Sequence, residues 1–218
     1  MIDLHMHSIF SDGELVPAEL ARRAEVAGCR AIAITDHADH SNLDFIVPRL
    51  VRACGNITRH GTITAIPGIE LTHVHPADIA SLAREARQLG ARLIVVHGET
   101  IAEPVMPGTN RAAIEAGIDI LAHPGLIHED EVELAASKSL FLEISARKGH
   151  SLTNGHVAKL AAQYRAPLVL NTDSHGPGDL IGKERAVAVA RGAGLSDEQI
   201  LQMFRNSAAL VQQIVQGS

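Results

Sequence analysis

Seven apolar, strand-like runs in this chain each end on a residue that ionises or binds metal: His5 and His7, Asp36 with His37, Glu70, His97, His123, Glu143, and Asp173 with His175. Helix-like segments separate the runs. Strands alternating with helices build βαβ units around a parallel sheet, and when such a sheet closes, the strand ends gather at one mouth. Chance could put one ionisable residue after one apolar run, but here it would have to recur at every strand end. The expected fold is α/β, a slightly irregular (βα)7 barrel of parallel strands with a metal site at their C-terminal ends.

The strands are read as IDLH, AIAIT, TITAIPGIE, RLIVVH, DILAH, LFLEI and PLVLNT. Helices are expected over 17–27, 44–54, 77–89, 110–116, 130–137 and 153–163, with 183–192 and 197–215 left to close the barrel. Pro17 suits a first helical turn and Gly28 a stop. Ser196 with Gln199 three residues on matches a capping box. The longest irregular stretch, Gly98 to Asn110, follows His97 directly, and a loop of that length beside a strand-end histidine is expected to be functional.

The 218 residues contain no linker or low-complexity stretch, which fits one domain over 1–218. No apolar run approaches the ~18 residues that cross a bilayer, and a strand beginning almost at Met1 leaves no room for a leader, so the expected compartment is the cytoplasm. Cys29 and Cys54 stand apart and read as reduced thiols. A formal charge of −6 with 2% aromatics argues against broad nucleic-acid binding. A small substrate is expected, and bound divalent cations would make an anionic one acceptable. Oligomeric state is not encoded in any pattern here.

Residues two apart on a strand share a face, so His5 and His7 can offer both imidazoles to one ion while Ile2, Leu4 and Met6 face the other layer. Asp36-His37 and Asp173-x-His175 repeat an acid–histidine pairing in which the carboxylate is either a ligand or the group that fixes the imidazole tautomer. Mixed imidazole and carboxylate donors suit zinc, manganese or iron, and the lack of thiolates argues against a structural zinc of the cysteine type. Two or three divalent ions are expected.

The segments HMHSIFSDG, TDH at 35–37, VVHGE, AHPG and NTDSH, in that order along nearly the whole chain, resemble the PHP family, the polymerase and histidinol phosphatase superfamily of metal-dependent phosphoesterases. The resemblance implies a distorted seven-stranded βα barrel with a trinuclear cluster. Glu70 would bridge two ions. His5, His7 and Asp173 would complete the first position and His97 and His123 the second, while Asp12, His37 and His175 would hold the third. Two neighbouring ions would acidify a shared water and aim it at phosphorus, making Glu70, Asp173 and His175 catalytic. Asp12 stands where some histidinol phosphatases of the family carry histidine, and the SDG around it is similar to the nucleotide and oligonucleotide branch. The inserted cap domain of that branch is missing.

Arg147 and Lys148 follow Glu143 on the mouth side, and an arginine fork matches phosphate geometry, so Arg147 is the expected catalytic phosphate contact, with Lys148 and Glu143 as further substrate-binding candidates. A solvated ARKGH loop is the alternative, and for Glu143 a supporting or buried ion-pair role. Arg111 and Lys183 read as surface residues. His73 and His75 read as solvated or capping, His150 likewise though nearer the phosphate, and His40, His60, His128 and His156 as ordinary surface histidines. The leading function is a phosphomonoesterase acting on a small phosphorylated metabolite of the histidinol-phosphate kind. The alternatives are a phosphodiesterase or 5′-nucleotide or oligonucleotide hydrolase on the same cluster, and a non-catalytic binding module. Amidohydrolases also begin with HxH, but RLIVVH lacks their strand-four lysine.

Overall fold

A computed structural model describes residues 1–217. In chain order it contains β1 (Ile2–Asp3), α1 (Pro17–Val26), β2 (Ala31–Ile34), β3 (His37–Ala38), α2 (Leu43–His60), β4 (Thr64–Leu71), α3 (Ile79–Gln88) and β5 (Leu93–His97). There follow α4 (Thr109–Ala116), β6 (Ile120–Ala122), α5 (Glu129–Ser137), β7 (Phe141–Ser145), α6 (Asn154–Tyr164), β8 (Leu168–Asn171), α7 (Lys183–Gly192) and α8 (Asp197–Gln216). The helices fall where the sequence predicts them, apart from α2. Its apolar stripe runs on from Leu50 and Cys54 to the half-buried Ile57, so the helix passes Gly55 and continues to His60.

All ladders are parallel, in the order β1-β2-β4-β5-β6-β7-β8, and β3 extends the β2 line along β4. The sheet is nearly closed. At the seam the ladder gives way to side chains: Asn171 Oδ1 accepts from Leu4 N at 2.8 Å, and Asp3 Oδ2 accepts from Thr172 Oγ1 at 2.6 Å. A single bridge joins Met6 to Ser174, with His7 N donating to Ser174 O at 2.8 Å.

Alternation sorts the apolar residues into two clusters. Ala31, Ala33, Ile66, Leu93, Val95, Ile120 and Val169 fill the barrel, and Leu210 of α8 joins them from below. Their sequence neighbours, such as Ile32, Ile94, Leu121 and Leu170, pack outward against the helices. Asn206 Nδ2 of α8 donates to Leu168 O at 2.8 Å, fixing the helix under the barrel. Among the described residues no helix is long and apolar enough to cross a membrane.

One expected facing is corrected. Ile2 and Leu4 belong to the barrel interior, and only Met6 packs in the outer layer. Strict alternation would then point His5 outward. The phase shifts because regular pairing stops at Asp3, and Leu4 N bonds a side chain instead of a strand carbonyl. That one-residue slip returns His5 and His7 to the centre.

Candidate metal centre

On β4, β5 and β8 the period of two carries interior apolar residues straight into functional ones: Ile66 leads to Glu70, Val95 to His97 and Val169 to Asn171. Off these strands the backbone is bent to the task. His123 and Asp173 have φ of 27° and 52°, a left-handed conformation that costs non-glycine residues about 1–3 kcal/mol and is found where a site demands it.

The side chains meet above the barrel core. His5 Nε2 lies 3.3 Å from Glu70 Oε1, and His123 Nε2 lies 3.5 Å from the same oxygen. His7 Nε2 is 3.2 Å from Asp173 Oδ1, and His37 Nδ1 is 2.6 Å from Glu70 Oε2. Asp12 Oδ1 stands 3.4 Å from His37 Nε2 and 3.1 Å from His175 Nε2. Potential ligand atoms gather within 4.8 Å of one another in several sets, among them His5–His7–Glu70, His5–His123–Asp173 and His7–Asp12–His37–His175. His97 joins them through a further set with His123 and His150, so the structure brings together all nine residues named as ligands from the sequence.

Asp36 is not part of these sets. It is buried and accepts from Ser8 N, Ser8 Oγ and Ser11 Oγ at 2.7 Å each, which folds the SDG turn so that Asp12 reaches His37 and His175. A Cβ at Gly13 would stand 2.4 Å from His7 O, so the turn closes over His7 only with glycine there. Between β5 and β6, Asn110 Nδ2 donates to Pro124 O at 2.9 Å, and Gly125, at φ 65°, leaves Glu99 O a space that any Cβ would fill at 1.8 Å. This clasp carries His97 and His123 together.

Outer nitrogens are tied down. His5 Nδ1 meets Glu143 Oε2 at 2.8 Å, and His97 Nδ1 meets Gly98 O at 3.1 Å; these outer contacts turn each Nε2 toward the centre. Burial holds His7 down to about 3, with His37 reinforcing it against Asp173, so this ring is neutral. Burial opposes ionisation of Glu70, but His5 and His37 outweigh it and keep the carboxyl well below its ordinary range. His175, His37 and His7 likewise overcome burial at Asp12 and draw it to about 2. The centre is a set of ionised carboxylates and imidazoles.

A metal fits this donor set on a direct observation. Among the described residues, the buried side-chain atoms without a hydrogen-bond partner are His5 Nε2, His7 Nδ1 and Nε2, Glu70 Oε1, His123 Nδ1, Glu143 Oε1 and Asp173 Oδ1. Each unsatisfied group costs about 1–3 kcal/mol unless something binds it. All fall in the cluster or directly beneath it, and bare imidazole nitrogens beside carboxylate oxygens are what zinc, manganese and iron bind.

Of the substrate-binding candidates, Arg147 reaches the mouth: Nη1 donates to Asp173 O at 2.9 Å and touches His175 Nδ1, and Nε lies 3.6 Å from Asp173 Oδ2. It lines a cavity of about 240 Å³ with Asp12, His37, His97 and His175. Lys148 does not. It is exposed and outside the cavity wall, because Arg147 points inward and its successor must turn away. Glu143 does not line the cavity either: it is fully buried under the cluster, bonded to His5 and to Asn171 Nδ2 at 2.9 Å. Arg111 pairs with Asp130 on the surface, and Lys183 lies at the opposite end of the barrel beside Met1 and Ile2.

Glu103, His73 and His150 also reach the cluster, a role not legible in the sequence. Glu103, on the loop after β5, places Oε2 3.1 Å from His97 Nε2 and 3.2 Å from His73 Nε2. The bond from His97 holds its carboxyl at about 2. His150 is buried against the cluster, whereas His75 caps its turn as expected. The length of the 98–110 loop was the one available signal for Glu103.

The profile of the PHP domain matches residues 3–133. An uncharacterized protein of Methanocaldococcus jannaschii is 46% identical over 91% of this chain and 92% of its own, and a probable phosphatase of Syntrophotalea carbinolica is 25% identical over 92% and 90%. The fold is shared with a chain in the cryo-EM structure of archaeal ribonuclease P with mature tRNA, at 14% identity, TM-score 0.73 and coverage of 97% and 90%. It is also shared with histidinol phosphate phosphatase from Lactococcus lactis, complexed with zinc, L-histidinol and phosphate, at 17% identity, TM-score 0.61 and coverage of 89% and 94%.

Proposed function

The chain belongs to the PHP domain family, and on that premise we propose that it is a metal-dependent phosphoesterase, most specifically a phosphomonoesterase acting on a small phosphorylated metabolite. The single observation that carries this is the concentration of unpartnered buried nitrogen and oxygen atoms at one point, in side chains suited to divalent ions. His5, His7, Glu70, His97, His123 and Asp173 would hold the deeper ions, and Asp12, His37 and His175 the outer one. Such ions supply, when bound, neutralisation of phosphoryl charge and a water acidified toward neutral pH. Zinc suits the imidazole-rich set and accompanies the L. lactis enzyme; manganese and iron use the same donors.

The protein's own groups do the positioning. Glu143 fixes the tautomer of His5 from beneath. Arg147, anchored by the Asp173 carbonyl, has guanidinium N–H groups left over at the mouth for phosphoryl oxygens. A cavity of about 240 Å³ suits a compact phosphate ester better than a polymer.

The test is metal content of protein purified without chelator, followed by matched monoester and diester assays with added zinc or manganese. Two or three ions with monoesterase activity, abolished in Glu70→Gln, are expected. Diesterase activity alone would move the substrate to the nucleotide class, and metal-free, inert protein would leave a binding module.

A further inference from the structure

We propose that His150 is a further metal ligand, forming with His97 and His123 a three-imidazole ion position beyond the nine ligands that the PHP resemblance supplies. The proposal rests on the metal-centre reading above.

The ligand nitrogens of His97, His123 and His150 lie within 4.8 Å of one another, and all three residues are buried. His150 opens the short turn His150–Thr153 after β7 and is 4% exposed. Its Nδ1 is 2.8 Å from Thr100 Oγ1, itself buried. Its Nε2 faces inward, 3.7 Å from Asp173 Oδ2 and 3.5 Å from Glu103 Oε1. One stretch of loop, 98–100, thereby holds the outer nitrogen of two rings, His97 through the Gly98 carbonyl and His150 through the Thr100 hydroxyl. A ring tied by its outer nitrogen with the inner one turned to the cluster is the usual arrangement of a ligating histidine.

A core histidine with no ligand role would satisfy its second nitrogen on a neighbour. Here the ligand nitrogens of three rings share one region edged by the Glu103 and Asp173 carboxylates, and His150 stacks on His123 at 4.1 Å with 17° between planes. With their inner nitrogens unprotonated, imidazoles so placed can offer lone pairs to a common region, where a cation would hold the three rings together. Three imidazoles without thiolate form the set that binds zinc with a fourth position open. The carboxylate of Glu103 stands beside that position, 3.1 Å from His97 Nε2, on a loop exposed enough to exchange with substrate.

The experiment measures zinc affinity and stoichiometry by competition with a chromophoric chelator for the wild type, His150→Gln, Thr100→Val and the surface control His75→Gln. Melting of each metal-free protein checks folding. His150→Gln is expected to weaken one zinc by at least about 100-fold and leave the others, with Thr100→Val weakening the same ion about 10–100-fold. The control should match the wild type. Unchanged stoichiometry and affinity in His150→Gln would reduce His150 to a packed core residue while the nine-ligand centre stands. If that variant does not fold, unchanged zinc affinity in Thr100→Val overturns the proposal. A wild type that binds no zinc removes both this proposal and the metal-centre reading.

Discussion

Glu143 Oε2 lies 2.8 Å from His5 Nδ1 and also accepts from Asn171 Nδ2, so a fully buried carboxylate joins the first strand of the barrel to the last two directly beneath the cluster. Removing it in Glu143→Ala frees the ring of His5 and leaves Asn171 without its acceptor. Zinc affinity should fall about 10–100-fold, and Glu143→Gln should lose less because its oxygen can still accept. Equal zinc affinity in wild type and Glu143→Ala would count against this supporting role.

Arg147 is positioned by backbone and by His175, with guanidinium hydrogens to spare. Truncation to alanine should raise the inhibition constant for inorganic phosphate about 10–100-fold, the equivalent of about 1.5–3 kcal/mol for hydrogen bonds to a charged group. Lysine should not restore it, since a point charge lacks the fork. Unaltered phosphate inhibition and KM in the alanine variant would show that substrate is held elsewhere.

Gly125 sits at positive φ with Glu99 O where a Cβ would go. Gly125→Ala must push apart the clasp that carries His97 and His123. A loss of about 2–4 kcal/mol is expected, roughly 5–15 °C in melting temperature, together with weaker metal binding. A melting temperature within a degree of the wild type would contradict the contact.

Asp3 gives a pH signature. Burial raises its pKa from 3.8 to about 6 against the bonds from Thr172. The folded protein therefore binds this proton more tightly than the unfolded chain. Its favourable contribution is fully present below about pH 4 and is lost as pH rises through about 6, a change of about 3 kcal/mol. In metal-stripped protein, Asp3→Asn should gain on the wild type over that interval in denaturant titrations. Parallel pH profiles for the two proteins would refute it.

Cys29 and Cys54 are buried, and burial pushes both thiols up to about 12. Neither should react with a thiol reagent at pH 8 until denaturant is added, when both should. Labelling of the native protein would place at least one thiol in an open environment.

Most of the centre could be read from the sequence because strands transmit position faithfully. Once Val95 is known to face inward, His97 must follow it, and the same logic carries Glu70. It failed first at β1, where the phase slip after Leu4 is created by Asn171, a residue on the far side of the chain. It failed again on loops. Glu103, His73 and His150 reach the cluster through turns whose direction depends on contacts absent from local sequence, such as Thr100 with His150. Lys148 shows the converse: adjacency to Arg147 suggested a shared role, and the turn sent the two side chains opposite ways.

The seam has a temporal meaning as well. Asp3 and Thr172, 169 positions apart, meet where the first and last strands close, and His5, His7, Asp173 and His175 stand immediately above them. A chain emerging from the ribosome therefore carries half of these donors from its first moments and cannot assemble the rest until most of its length has appeared. An ion bound there would staple the two ends of the polypeptide across most of its length, and metal uptake and completion of the fold would become one event.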